Sequence, residues 1–190
     1  NPDWPMWDCC GGSTPTEEID DEEHGLTAEF RIGSAPTVMG FITRSASGGG
    51  DTPFDATALT DGGLLQFDMR VVSMPNDASA PWLFKIESSD GATAVELPLS
   101  ESAEGADPVA GEWQTYTYPI SSLQAAGLDV SAIDVIMVFP AWGTGEGAVY
   151  RLDNVKFYHP DSEGGNGAAG AITLFADTAA DQWSIWDCCG

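Results

Sequence analysis

Hydrophobic positions along this chain recur with a period of two. Leu65, Phe67, Met69 and Val71 are interleaved with Gln66, Asp68 and Arg70, which puts the two sets on opposite faces of an extended strand. Comparable runs, rich in β-branched and aromatic residues, cover 28–32, 38–43, 64–72, 82–88, 93–99, 113–119, 135–139 and 149–158. Gly, Pro, Asp and Ser clusters bound nearly all of them. A single helical turn is expected within 121–128. Many short strands at this spacing predict an all-β domain, a two-sheet antiparallel β-sandwich or jelly roll.

The pattern changes after Tyr158. Residues 159–170, H-P-D-S-E-G-G-N-G-A-A-G, have the composition of a flexible linker. One more strand-like run follows, Ile172, Thr173, Leu174 and Phe175. The chain therefore divides into a sandwich over 1–158, a linker over 159–170, and a C-terminal appended strand with its flanking motif over 171–190. A strand with core-like apolar residues needs a sheet edge to complete, in its own chain or in a neighbour.

That tail repeats the beginning of the chain. Trp4, Trp7, Asp8, Cys9, Cys10 and Gly11 return as Trp183, Trp186, Asp187, Cys188, Cys189 and Gly190, each shifted by 179 positions. The run 172–175 precedes the second copy and has no counterpart before Asn1. Two readings follow: one period of a tandem array, or a tail that serves a neighbouring subunit. Either joins copies of the chain head to tail, as in an extracellular filament. The W-x-x-W spacing does not put both rings on one face of a strand, so a turn with Trp4, Trp7, Trp183 and Trp186 packed at the junction is expected.

Six basic and thirty acidic residues among 190 give a net charge of -24. Such a surface repels nucleic acid phosphates and anionic membranes, which excludes both as partners. No apolar run approaches the roughly 20 residues of a membrane-spanning helix. Most acids are spread along the chain and read as a solvated surface, suited to a secreted protein in marine or high-salt water. The opening at Asn1 reads as a processed or excised segment.

All four cysteines lie in the two adjacent pairs, and in an exported chain they read as disulfides. Neighbouring Cα atoms sit about 3.8 Å apart, short for a relaxed bridge. Bridges between Cys9/Cys10 and Cys188/Cys189, within or between chains, avoid that strain. A metal site lacks both the C-x-x-C spacing and an accompanying His.

Three stretches together resemble the galactose-binding-like sandwich of carbohydrate-binding modules: D-G-G-L-L-Q-F-D-M-R-V (61–71), G-E-W-Q-T-Y-T-Y-P-I-S-S-L (111–123) and Y-R-L-D-N-V-K-F-Y (150–158). The W-D-C-C-G-G-S-T-P-T segment (7–16) is similar to the C-terminal ExoP-type domain of marine bacterial family-3 exo-β-glucanases. The likeness covers about residues 4–158. It implies a strand like 174–177 ahead of the motif, whereas this chain carries that strand at its end. It also implies a structural Ca²⁺ at Asp153, with Asp177 as a second ligand if the tail docks; a hard cation needs further oxygens.

Among other candidates, Trp142 lies in the glycine-flanked loop A-W-G-T-G-E-G and is the expected sugar platform, with Glu146 or Asp134 accepting from hydroxyls. Trp82 and Trp113 fall within strands and read as core. The run Asp20-Asp21-Glu22-Glu23 and the loop histidines His24 and His159 read as solvated. No G-x-S-x-G, H-E-x-x-H or phosphate loop is present, so no enzymatic activity is expected. Two functions remain in view: a subunit or repeat that assembles through its tail, and a carbohydrate-binding module for a β-glucan-type polysaccharide.

Overall fold

The alternating runs form two antiparallel sheets packed face to face. The computed structural model describes residues 1–8, 14–33, 39–162 and 171–176. The strands are β1 (Met6–Asp8), β2 (Thr14–Asp21), β3 (Gly25–Arg31), β4 (Met39–Ile42), β5 (Leu64–Ser73), β6 (Trp82–Ser88), β7 (Thr93–Pro98), β8 (Trp113–Pro119), β9 (Ile133–Pro140), β10 (Val149–Tyr158) and β11 (Ile172–Phe175). One helix, α1 (Ile120–Ala125), follows β8; it is shorter than the 121–128 turn expected and starts one residue earlier. The five-stranded sheet has the order β1-β4-β9-β6-β7, and the other runs β2-β3-β10-β5-β8 with β11 also on β10.

Alternation in β5 sends Leu65, Phe67, Met69 and Val71 inward, where all are buried. They meet Phe84 and Ile86 of β6 and Tyr116 and Tyr118 of β8. Phe84 and Tyr118 stack across the sheets at 4.4 Å. Each such side chain contributes about 1.5–3 kcal/mol on leaving water. The Tyr150 hydroxyl, on β10, donates to the Val138 carbonyl on β9 and so ties one sheet to the other. Complete burial, and secondarily the charge of Asp8, push that hydroxyl far above its ordinary pKa, so it remains a donor.

Two strands were not legible as such. β1 is three residues long, and β2 reads T-P-T-E-E-I-D-D, with almost no apolar content. Both lie at sheet edges, where strand pairing requires no buried side-chain face and acidic residues discourage pairing with other chains. β9 departs from alternation for the opposite reason. Ile136 and Val138 point into the main core, while Val135, Met137 and Phe139 form a second cluster on the outer face with Ile42, Trp7 and Leu83.

β4 and β9 approach closely at Gly40, opposite Met137. A Cβ there would lie 1.9 Å from the Ile136 carbonyl oxygen, so only glycine permits this pairing.

β10 shares one of its edges between two strands. Its first half pairs with β3, Val149 to Leu152 facing Arg31 to Ala28. Its second half pairs with β11, where Val155, Lys156 and Phe157 face Phe175, Thr173 and Ile172. The change of partner coincides with a register shift after Asp153 and a left-handed Asn154, φ +51°. Leu174 and Phe175 enter the core, Phe175 lying 5.7 Å from Phe41. The Asn1 amino group and side-chain amide donate to the Leu174 and Thr173 carbonyls at 3.1 and 3.3 Å. The tail strand thus lies within this chain's own sandwich, next to the start of the chain.

Candidate functional site

Trp142 follows β9 and folds back over the outer face of the five-stranded sheet. Among the described residues it is the only exposed aromatic side chain, at 49%. Its position is held from three sides. The indole Nε1 donates to Glu96 Oε2 on β7 at 3.0 Å. Phe139 of β9 meets the ring edge-on at 5.0 Å. The Lys85 ammonium, on β6, lies 5.2 Å from the ring centroid. Lys85 and Glu96 are direct cross-strand partners, and on β6 and β7 their inward neighbours Phe84 and Val95 are core. Strand alternation therefore places both polar groups on the face where Trp142 rests.

Of the two acceptors expected beside Trp142, Asp134 is held elsewhere. Asp134 is 2% exposed and is engaged by Arg44 at 2.7 Å and by the Asp90 amide at 2.6 Å. Arg44 also binds Glu87 at 2.8 Å. Burial alone would lower the Arg44 pKa, but Asp134 and Glu87 raise it, so the guanidinium stays charged. Asp134 is thus part of a structural ion-pair group and is not open to a ligand. Glu146 is exposed in the following loop, with its carbonyl accepting from the Asn76 amide. Glu96 and Lys85 escaped the sequence reading, although a one-residue alternation within 82–88 and 93–99 already assigns them to one face.

A second polar group occupies the outer face of the other sheet. Trp113 was expected in the core; instead it pairs with Arg70 and faces outward, half-buried. His24, expected to be solvated, lies in the β2–β3 turn, stacked on Trp113 at 3.9 Å, with Nδ1 2.9 Å from Asp153 Oδ2. The Trp113 indole donates to Asp21 Oδ1 at 3.3 Å. Asp21 is buried, also contrary to the solvated reading, and receives Arg151 and the Glu23 amide. Desolvation would raise its pKa, but the Glu23 amide, Arg151 and Trp113 together hold it at about 2.

A cleft of about 440 Å³ adjoins this group, lined by Asp20, Asp21, Glu22, Glu23, Arg70 and Arg151 among others. Its arginines are already engaged: Arg70 by Asp21 and Glu23, Arg151 by Asp21 and Glu29. It offers neither an aromatic platform nor an uncommitted cation.

Asp153 is 2% exposed, and His24 and the Asn154 amide both address its Oδ2. These two neighbours present nitrogen, and Asp177, the second ligand expected for calcium, is not among the described residues. Among the described residues no group of three His, Cys, Asp or Glu side chains is arranged to hold a metal ion. Asp177, Cys9, Cys10, Cys188, Cys189, Trp183 and Trp186 lie outside the described residues. Trp4 is 1% exposed in the main core, and Trp7 sits half-buried in β1 against the outer cluster. A short strand thus replaces part of the turn expected around this motif; Trp7 lies in it and Trp4 two residues before it, in the main core, while Trp7 joins the outer cluster.

The arrangement of two aromatic-cored antiparallel sheets can be set beside known folds. The sandwich shares its fold with carbohydrate-binding modules. It matches the family 30 carbohydrate-binding module of the cellulosomal cellulase Cel9D-Cel44B of Clostridium thermocellum with a TM-score of 0.57 at 14% identity, over 82% of this chain and 92% of that one. It matches an exo-β-agarase structure with a TM-score of 0.55 at 14% identity, over 81% of this chain and 23% of that one. The extra C-terminal domain of the exo-1,3/1,4-β-glucanase ExoP from a Pseudoalteromonas species gives 0.47 at 11% identity, over 82% and 84%. No protein-family model and no curated protein matches the chain. At these identities the module likeness establishes the fold, and function rests on the residues. No described helix is long and apolar enough to cross a membrane.

Proposed function

We propose that this sandwich is a non-catalytic, secreted carbohydrate-binding module, and that it takes a neutral β-glucan-type polysaccharide on the outer face of the five-stranded sheet. The observation that carries this reading is Trp142, an exposed ring already fixed by Glu96, Phe139 and Lys85. A sugar ring stacking on it meets a surface whose ordering is complete before binding, which limits the entropy lost on association. Glu96 orients the indole, and the Lys85 ammonium, also bonded to Glu87 at 2.9 Å, has further N–H groups beside the ring for sugar hydroxyls.

Charge narrows the class of glycan. At a net charge of -24, sulfated or uronic-acid polymers meet long-range repulsion, while neutral glucans do not. The module fold of the cellulase component supports the same class.

The test is calorimetric titration of the full chain with soluble neutral β-glucans and with an acidic polysaccharide. Binding to a neutral glucan, lost at least tenfold in Trp142→Ala without change in circular dichroism, is the expected result. Absence of binding to every neutral glucan, or unchanged affinity in Trp142→Ala, overturns the reading.

A further inference from the structure

β11 occupies a position that the sequence claims twice. Along the chain, Ile172–Phe175 leads into the copy of W-x-x-W-D-C-C-G that begins at Trp183. In space, the same strand leads into the other copy: Asn1 bonds to Leu174 and Thr173, and Trp4 follows three residues later, buried to 1%. The seat beside β10 thus holds a strand that precedes one copy of the motif in sequence and adjoins the other in space.

We propose that this seat is a joint between successive copies of the sandwich. The strand filling it comes from one copy, and Ile172–Phe175 of the next copy fills the same seat one step further on. The partner is a second copy of this chain, and recognition is by strand addition. Val155, Lys156 and Phe157 of the acceptor supply the ladder. The apolar part of the seat receives Leu174 at 0% and Phe175 at 8% exposure. Because donor and acceptor surfaces differ, the contact is heterologous: it adds copies step by step, and ends in a closed ring only where the rotation between copies closes.

The connection makes both arrangements accessible. Residues 159–171 separate β10 from β11; Pro160–Ser162 form a helical turn, and the nine residues after it span up to roughly 30 Å when extended. The strand reaches its own β10, where Phe157 faces Ile172, and equally the same edge of an adjoining sandwich. The two states contain the same contacts, so protein concentration sets their balance, as in domain swapping.

The experiment is sedimentation velocity on the full chain over a wide concentration range, before and after unfolding and refolding at high concentration. It is run beside a chain lacking residues 163–170. Five connecting residues then remain, spanning at most about 17 Å, enough to close the hairpin on β10 and too few to reach a neighbour. Leu174→Asp is the second variant. The expected result is a ladder of oligomers growing with concentration in the parent chain, and monomer in the shortened chain with its circular dichroism unchanged. Leu174→Asp also loses the ladder. A parent chain that stays monomeric throughout, or a ladder that persists in the shortened chain, overturns the proposal. Glucan titration of the same samples reads the proposed function separately, since Trp142 lies on the other sheet.

Discussion

The imidazole of His24 lies against the indole of Trp113, ring centroids 3.9 Å apart and 20° from parallel. The stack joins the β2–β3 turn to β8, at opposite ends of the strand order of one sheet. Between them, Asp21 and Asp153 receive the two rings' nitrogen atoms at 3.3 and 2.9 Å. The acidic edge strand is thereby fastened to the sheet by side chains on its outer face, in addition to its own ladder.

His24→Ala removes both the stack and one partner of the buried Asp153. Stacking of this kind contributes about 0.5–1.5 kcal/mol, and loss of a hydrogen bond to a buried carboxylate costs about 1–3 kcal/mol. A destabilisation of about 2 kcal/mol is expected. It should be seen as a lower urea midpoint at unchanged slope.

Asp21 gives the sandwich a defined sensitivity to acid. Its folded pKa of about 2 lies below the ordinary 3.8, so the folded state favours the ionised form. Its contribution is fully present above about pH 4 and is lost as pH falls towards 2. The shift corresponds to about 2 kcal/mol. Urea unfolding at pH 6 and pH 2.5 should show Asp21→Asn losing less stability on acidification than the parent chain. Equal losses in the two proteins would assign the acid response to other carboxylates.

How much of this was legible depends on what the alternation reports. Where one face is core and the other is wet, as in β5, the residues gave the strand, its limits and its facing. β9 is buried on both faces and showed only a short apolar run, so its second cluster was invisible. β2 carries too little apolar side chain to register. Trp142 was legible because glycines flank it; Glu96 was not, because a cross-strand neighbour depends on register. Trp113 and His24 were misjudged for a related reason: residue type suggested core and solvent, and only tertiary pairing brings them together.

Gly40→Ala tests the close approach of β4 and β9. With the new Cβ only 1.9 Å from a backbone oxygen, the strands must separate and ladder bonds at Gly40–Met137 must lengthen. A loss of about 2–4 kcal/mol is expected, in the range of severe core disruption. It should appear as a lower thermal midpoint and faster amide exchange in both strands. Gly48→Ala, with nothing within 4 Å of its Cβ but a φ of +88°, should cost only about 1–2 kcal/mol.

Tyr150→Phe removes the hydroxyl that joins β10 to the Val138 carbonyl while leaving the ring stacked 5.3 Å from Phe30. The cost should be about 1–2 kcal/mol, that of one buried neutral hydrogen bond. Glucan affinity should not change, since Trp142 is held by other groups. A larger loss would mean that the ring itself repacks, which near-ultraviolet circular dichroism detects.

Glu96→Ala separates the surface of Trp142 from its orientation. Without the 3.0 Å bond from Nε1, the indole keeps Phe139 on its edge and Lys85 over its face but gains freedom about its side-chain torsions. Binding must then restore that order, at about 0.5–1.5 kcal/mol for one immobilised side chain. Glucan affinity should fall roughly two- to tenfold, less than in Trp142→Ala, with folding stability nearly unchanged because the pair is solvent-exposed. Glu96→Gln, which keeps an acceptor oxygen, should recover most of the loss. If Glu96→Ala and Trp142→Ala weaken binding equally, Glu96 itself contacts the sugar, and Glu96→Gln then distinguishes an acceptor from a charge.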